Sequence, residues 1–297
     1  MSGIVGVLDR SGPDPAAIER AAGHASYRGP ATVLARGPVA LGVLGNGSDS
    51  LTIESSPSTL LVADRRVDGR LSAPFSLEPG EDLLDKTLSR TGPAGLMALA
   101  AEFALARYDT VKDELLLARD AFALRPLFLA RRGAALAFAS DPAILVAMGF
   151  GSWELDLDRV RSFLAGRDEG SEGSPFCGIE TVGPGAWRTF DQHGRHRSGR
   201  WFEPECLAGP DLDQVDAVDA VREAVRAAVR SRVEGARRVG LTLSAGRDSG
   251  SLVVHCTISA CRPTASPSAS TRISASMNPV RHDRWREPSG IGGLAST

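Results

Sequence analysis

The sequence predicts an α+β fold in which two layered sheets carry helices on their outer faces, followed by the start of a separate α/β unit. Three observations carry this expectation. Short apolar runs come in pairs about turn residues, such as 32–35 with 39–44 around Gly37-Pro38, and 126–131 with 134–139 around Arg132-Gly133. The helices between them are few and short, and several open on a capping residue. Past residue 238 the pattern changes to an apolar strand, a loop of small polar residues and a helix start. A chain of 297 residues fits roughly two domains, and its 42 % hydrophobic content is enough for a core.

Taken in order, Ile4 to Leu8 is an apolar strand, and Asp14-Pro15 is an N-cap and first-turn pair opening a helix to about Ala25. A loop at 26–30 precedes the first hairpin. Thr59 to Ala63 is a buried strand, Asp82 to Leu88 a short helix and Ala94 to about Ala101 another. Phe103 to Tyr108 and Glu114 to Arg119 flank a polar turn, Asp109 to Asp113. After the second hairpin, Pro142 to Met148 and Leu157 to Leu164 read as helices. Trp201 to Gly209, with Pro204 and Pro210, reads as a linker. Gln214 to Glu234 is a strong helix. Val215, Val218, Val221, Val225, Val229 and Val233 step by three or four along it, Asp213 caps its start and Gly235 stops it.

Composition excludes several function classes. A net charge of −2 gives no reason to expect nucleic acid or an acidic membrane surface as partner. The arginines late in the valine-striped helix fit a solvated face near a helix C-terminus. No apolar run reaches the roughly 18 residues of a membrane span, and the first residues lack a signal-peptide pattern, so a cytoplasmic location is expected. Cys177, Cys206, Cys256 and Cys261 show no zinc spacing and are expected as free thiols. Only Lys86 and Lys112 are lysines among 34 basic residues, a bias expected from GC-rich DNA.

Two stretches carry candidate chemistry. Ser244-Ala-Gly-Arg-Asp-Ser249 lies between a strand and a helix start, where backbone N–H groups and the helix dipole favour an anion. Gly246 admits close approach of a phosphate, Ser244 and Ser249 add hydroxyls, and Asp248 can cap the helix or hold Mg²⁺. No lysine follows the glycine, so this is not the Walker-type loop. It resembles the S-G-G-x-D-S pyrophosphate loop of ATP pyrophosphatases, which implies ATP and Mg²⁺ as cofactors and places Leu243 near the adenine. At the other end, removal of Met1 would leave Ser2 terminal. A terminal Ser, Thr or Cys can attack a carbonyl with its own α-amine as base. On chemistry alone, Ser2 reads first as a small terminal residue beginning a strand, ahead of a nucleophile.

The order of further segments gives the resemblance its specificity. Ser26-Tyr-Arg-Gly-Pro30 looks like H-R-G-P-D of class II glutamine amidotransferases, and Phe103 to Asp109 looks like F-A-x-x-x-Y-D. Arg119-Asp-Ala-Phe-Ala-Leu-Arg-Pro-Leu127 is similar to R-D-x-x-G-x-x-P-L, Phe138 to Asp141 to F-A-S-E, and Phe176 to Gly185 to F-x-G-I-x-x-x-x-P-G. Over residues 1 to about 255 the chain thus resembles glutamine-dependent asparagine synthetase and its relatives. The resemblance implies an αββα N-terminal-nucleophile domain over 1–202, a linker at 203–213, and at 214–255 the beginning of an ATP-binding domain of the adenine-nucleotide-hydrolase type. In that family the first domain releases ammonia from glutamine, and the second activates an acid with Mg-ATP for attack by ammonia. The departures are specific. Ser2 stands where the family has a Cys nucleophile. The strand Ala40 to Leu44 lacks the cation that grips the glutamine carboxylate. Ala63-Asp64-Arg65 replaces N-G-E, and loss of an oxyanion donor costs about 3 kcal/mol. Asp82 alone matches, as the acid that holds the glutamine amine. The glutaminase site is therefore expected to be degenerate.

From Cys256 no helical or strand period is visible, and Ser, Thr, Ala, Pro and Arg dominate. Residues 256–297 are expected to be disordered or the product of a reading-frame shift near residue 255, which the downstream DNA would decide. The functional expectation is an asparagine synthetase-like ATP-dependent amide ligase with a degenerate glutaminase site, truncated and without synthesis in this chain. A β-lactam-synthetase or peptide-cyclase-like relative and a non-catalytic folding or binding fragment are the alternatives. Expected partners are ATP, an amino acid or other carboxylic acid, ammonia or glutamine, and a second copy of the chain in a homodimer, with neither nucleic acid nor membrane.

Overall fold

The computed structural model describes residues 2–45, 51–67, 82–167, 172–193, 195–204, 213–233, 238–244, 246–260 and 272–277. Gly80 and Glu81, most of the expected linker, Cys206 and Cys261, Gly235, Ala245 and most of the expected tail lie outside them. The chain divides into two compact units, Met1–Ala208 and Gly209–Thr297.

The first unit is built on two six-stranded sheets whose pairings are all antiparallel. One contains β1 (Gly3–Leu8), β2 (Ala31–Arg36), β3 (Val39–Leu44), β8 (Phe128–Arg132), β9 (Ala135–Ala139) and β10 (Ile179–Thr181), in the order β10-β8-β9-β1-β3-β2. The other contains β4 (Leu51–Ser55), β5 (Thr59–Val67), β6 (Ala101–Asp109), β7 (Glu114–Arg119), β11 (Ala186–Phe190) and β12 (His196–Arg200), in the order β12-β11-β7-β6-β5-β4.

Alternation along each strand sorts the apolar residues into three cores. Ile4, Leu41, Leu60, Val62, Leu117 and Phe138 fill the space between the sheets. Val5, Val7 and Ala137 face the other way, onto α1 (Pro15–Ala22) and α3 (Pro142–Ala147) through Ile18 and Ile144. Leu61, Phe103 and Leu105 pack outward against α2 (Leu83–Thr91), through Leu84, and against Trp201. The result is the helix–sheet–sheet–helix layering expected from the paired apolar runs. It is also why β1 is buried along its whole length. Gly6 is required there: opposite Phe138, a Cβ would lie 2.4 Å from the ring and 2.8 Å from the Ala40 carbonyl oxygen.

Several boundaries differ from the sequence reading. The first helix ends at Ala22 and tightens into a 3₁₀ segment, Gly23–Arg28, across the expected loop. The expected helix at 94–101 is a 3₁₀ segment, Pro93–Ala98, because Ala101 already belongs to β6 and pairs with Val67. α4 (Leu157–Leu164) forms as expected, capped by the Asp156 carboxylate.

In the second unit, α5 (Gln214–Val233) is the valine-striped helix, with the Asp213 carboxylate accepting from the N–H groups of Val215 and Asp216. β13 (Arg238–Leu243) then leads into α6 (Arg247–Ala260). The sequence reads a helix from Ser249 to about Ser259, and α6 ends one residue later, at Ala260. The absence of a strand period after Cys256 is corrected at β14 (Arg272–Met277), which pairs with β13 in parallel, from Arg238 with Arg272 to Leu243 with Met277. A parallel ladder is held by backbone groups, so β14 needs no side-chain period to form. No described helix is long and apolar enough to cross a membrane.

Candidate functional site

Ser2 lies immediately before β1 and is half-buried. Its hydroxyl donates to Asp64 Oδ1 at 2.8 Å. Asp64 sits on β5 and is 1 % exposed. Arg125 Nη1 approaches the same carboxylate at 3.5 Å, while its Nη2 lies 3.5 Å from Glu102. The Ser2 carbonyl accepts from Arg28 Nη1 at 2.6 Å. Arg28 in turn pairs with Asp141 at 3.5 Å, and Asp141 caps α3 and accepts from the Tyr27 hydroxyl. That hydrogen bond, with burial, raises the Tyr27 phenol above its ordinary value. Ser140 fixes the next residue but one, its hydroxyl accepting from the Ile4 N–H at 2.9 Å. Ser2 is thus held at its side chain by Asp64 and at its backbone by Arg28 of segment 26–30, while Ser140 of segment 138–141 holds Ile4, two residues on.

Asp82 has a different set of partners. One carboxylate oxygen accepts from the N–H groups of Leu84 at 2.8 Å and Asp85 at 3.3 Å, capping α2. The other pairs with Arg65 Nη2 at 2.6 Å, the Asp82 side chain being 1 % exposed and that of Arg65 23 %. Thr52 on β4 accepts from Arg65 Nε at 2.8 Å and lies 3.5 Å from Asp82. Asp64 and Arg65 are neighbours on one strand, so their side chains leave opposite faces of the sheet. The structure therefore brings Ser2 together with Asp64, and Asp82 with Arg65, in two clusters rather than one.

The turn that delivers Arg125 is itself a buried polar network. Asp120, 1 % exposed, accepts from the backbone N–H groups of Phe122, Leu124 and Arg125 at 2.9–3.1 Å. The Arg119 guanidinium donates to three carbonyls, those of Arg125 at 2.6 Å, Ala123 at 2.9 Å and Val182 at 3.0 Å. Burial pushes its pKa below the ordinary arginine value. Between them Ala123 adopts φ +54°, a left-handed conformation disfavoured for a residue with a Cβ. It occupies the glycine position of the R-D-x-x-G-x-x-P-L pattern. Ala123→Gly is expected to stabilise the unit by about 1 kcal/mol, as strain relief outweighs the added unfolded-chain entropy. Urea titration checks this; an unchanged or lower midpoint would show that the turn is not strained.

In the second unit, the loop residues lie between β13 and α6. Leu243 is buried at the end of the strand, while Ser244, Gly246 and Asp248 are exposed and Ser249 is half-buried. The Ser249 hydroxyl ties the loop together. It accepts from the Ser244 N–H at 3.2 Å, lies 3.2 Å from the Ser244 hydroxyl and donates to the Gly246 carbonyl at 3.3 Å. A Cβ at Gly246 would meet only the Ser244 hydroxyl, at 3.2 Å, so backbone approach from solvent is open. A strand end, an open glycine and a helix start suit an anion. Magnesium is less well provided for. Among the described residues no group of three His, Cys, Asp or Glu side chains converges, and Asp248 is the one carboxylate in the loop.

Sequence reasoning did not identify Thr52, because β4 was not anticipated, nor the pairing of Arg65 with Asp82. Arg28 and Arg125 were visible within the matched segments, but their contacts with Ser2 and Asp64 depend on chain pairing across the fold.

Comparison with known proteins bears on the first unit. Residues 78–202 match a family described as a glutamine amidotransferase domain. A search of curated protein sequences found no match. Among solved structures, the chain is similar to the glutamine phosphoribosylpyrophosphate amidotransferase from B. subtilis complexed with ADP and GMP, at 14 % identity and a TM-score of 0.48, covering 97 % of this chain and 69 % of that one. It is also similar to a chain described as the allosteric regulatory enzyme of purine biosynthesis, at 13 % identity and a TM-score of 0.49, covering 97 % and 68 %. Residues 78–202, within a unit of two packed antiparallel sheets, are thus similar to a glutamine amidotransferase domain.

Proposed function

We propose that this chain is an asparagine synthetase-like amide ligase in kind, whose amino-terminal unit does not hydrolyse glutamine, so that in such a ligase ammonia or an amine would act directly on the activated acid, and that the chain as given carries out no synthesis by itself. The observation that carries this reading is the pair of internal contacts at Ser2 and Asp82. A buried carboxylate lies 2.8 Å from the Ser2 hydroxyl. Negative charge developing on a glutamine carbonyl beside Ser2 would meet that carboxylate instead of a donor. The Asp82 carboxylate is already satisfied by Arg65 and two backbone N–H groups, so an incoming ammonium would have to displace a guanidinium.

The ligase half rests on the loop at 244–249. Ser244, Ser249 and the backbone about Gly246 would hold the phosphates of ATP, and Leu243 would lie against the base. Bound ATP would supply activation of the acid; Asp248 would contribute one ligand toward Mg²⁺. The alternative of a β-lactam-synthetase or peptide-cyclase-like relative differs in the acid and amine joined. A non-catalytic binding role is the second reading, favoured by the single carboxylate in that loop.

The test is ammonia release from glutamine by the full chain and by Ser2→Cys. A thiol is far the better nucleophile, being partly ionised near neutral pH. Neither protein is expected to exceed the uncatalysed rate. Turnover by Ser2→Cys would overturn the proposal, because it would mean that only the nucleophile had been lost.

A further inference from the structure

The helix-facing side of β1 ends in a charged cavity. Val5 and Val7 turn toward α1 and α3, and Asp9, two positions beyond Val7, continues that alternation. Its N–H still bonds the Pro38 carbonyl at 2.8 Å. Here the apolar layer gives way to a cavity of about 360 Å³ between α1 and the chain that follows α3. Val7, Ile18, Ala21 and Phe150 give it an apolar surface, none of them more than 8 % exposed.

Two of its charged groups have hydrogen-bonding capacity to spare. Ser11 donates to Asp9 Oδ1 from its N–H at 2.9 Å and from its hydroxyl at 2.6 Å, while Oδ2 has no donor among the described residues. Arg132 closes β8. Its guanidinium lies over the Phe150 ring, 4.5 Å from the centroid, and Nη1 donates to the Met148 carbonyl at 3.2 Å. The stack and that bond fix the group before anything binds. Nε and Nη2 form an edge suited to a two-point contact with a carboxylate, and neither has an acceptor among the described residues. The Ser11 bonds hold the Asp9 carboxyl below its ordinary value, and the Arg132 charge adds to them. The two side chains nevertheless form no ion pair with each other. The remaining charged and titratable lining is the exposed His24 and a pair already joined, Asp14 with Arg20 at 3.4 Å, in which Asp14 also caps α1.

We propose that this cavity binds a free α-amino acid with an apolar side chain, its ammonium against Asp9, its carboxylate against Arg132 and its side chain on the surface made by Val7, Ile18 and Phe150. Size, charge and polarity each narrow the ligand. Small-molecule pockets run from roughly 300 to 1,000 Å³, so this one suits an amino acid better than a nucleotide. A lone acid would meet the Asp9 charge and a lone amine the Arg132 charge, whereas a zwitterion gains from both. The apolar surface offers a polar side chain no partner, so desolvation disfavours one. The cavity lies at the far end of β1 from Ser2, on the order of 20 Å along the strand. It contains no residue of the Ser2 and Asp82 clusters or of the 244–249 loop. An amino acid held here is therefore bound unchanged, distinct from any acid that a ligase would activate, and the proposal stands apart from the ligase reading.

Isothermal titration of the full chain with L-leucine tests this. Saturable binding at or below millimolar concentration is expected. N-acetyl-L-leucine lacks the ammonium and L-leucinamide lacks the carboxylate, so each should bind at least roughly tenfold more weakly. Asp9→Asn keeps an acceptor for Ser11 and removes the charge, and should lower the affinity for L-leucine to a similar extent with an unchanged melting temperature. The two analogues act on the unaltered chain, so the outcome does not depend on how a variant folds. An absence of binding at millimolar L-leucine would overturn the proposal. Equal binding of L-leucine and the two analogues would do so too, since the charges would then not be read. So would L-glutamine binding as tightly as L-leucine, which would place the amino acid at another site, such as that at Asp82.

Discussion

Replacing Asp120 with alanine is expected to destabilise the amino-terminal unit by about 4 kcal/mol, lowering its melting temperature by roughly 10 °C. The carboxylate is 1 % exposed and accepts three backbone hydrogen bonds. Its removal leaves three N–H groups in a turn that water reaches poorly, and each costs more unpaired than it contributed when paired. The turn is also stitched from the other side. The Gly185 N–H donates to the Asp120 carbonyl, and the Trp201 indole to the Arg119 carbonyl. Loss of the carboxylate should therefore loosen the packing of Trp201 on Phe103, whose rings stack at a centroid distance of 5.7 Å. Asp120→Asn keeps two lone pairs but no charge and should cost about half as much. Urea titration followed by tryptophan fluorescence measures both, and a loss under about 1 kcal/mol for the alanine variant would show that the turn relaxes onto other acceptors.

The second large effect is expected at Asp82. Asp82→Ala should cost about 3 kcal/mol, because it removes the α2 cap and leaves the Arg65 guanidinium without its carboxylate. Arg65→Ala should cost less. It leaves Asp82 with the two N–H groups of α2, although its Thr52 contact at 3.5 Å offers little. Asp82→Ser keeps a capping oxygen and loses only the ion pair, so the difference between the two Asp82 variants separates the two roles. The double substitution Arg65→Ala with Asp82→Ser should be less costly than the sum of the singles. Strict additivity would mean that the 2.6 Å contact contributes no coupling, and the case for an occupied carboxylate would weaken with it.

Legibility followed local pattern. β3, β7 and α4 lie where their apolar runs and caps indicated, since Val39–Leu44 is continuously apolar and Asp156 caps a helix with a clear stripe. β12 was not legible. His-Arg-Ser-Gly-Arg has no apolar face and is exposed along most of its length, and it is a strand because β11 offers it five backbone partners. β4 and β14 are similar cases, defined by pairing with β5 and β13 more than by composition. The candidate site divides the same way. Ser2, Asp82 and the 244–249 loop stood out as residues, whereas Thr52, Arg28 and Arg125 acquired a role only through their contacts.

By itself the sequence determined the layering of the first unit and the strand–loop–helix order of the second, because apolar periodicity, caps and turns act over a few residues. It also determined that Ser2 stands where the resemblance expects cysteine, and that Ala63-Asp64-Arg65 stands where it expects N-G-E. What only the tertiary structure decided is how the two charges of that segment are disposed. Asp64 turns to Ser2 and Arg65 to Asp82, 17 positions along the chain, because adjacent residues on one strand face opposite sides of a sheet whose two faces pack against different partners. Which partners those are depends on strand order and register, and these are set by contacts between segments far apart in the sequence.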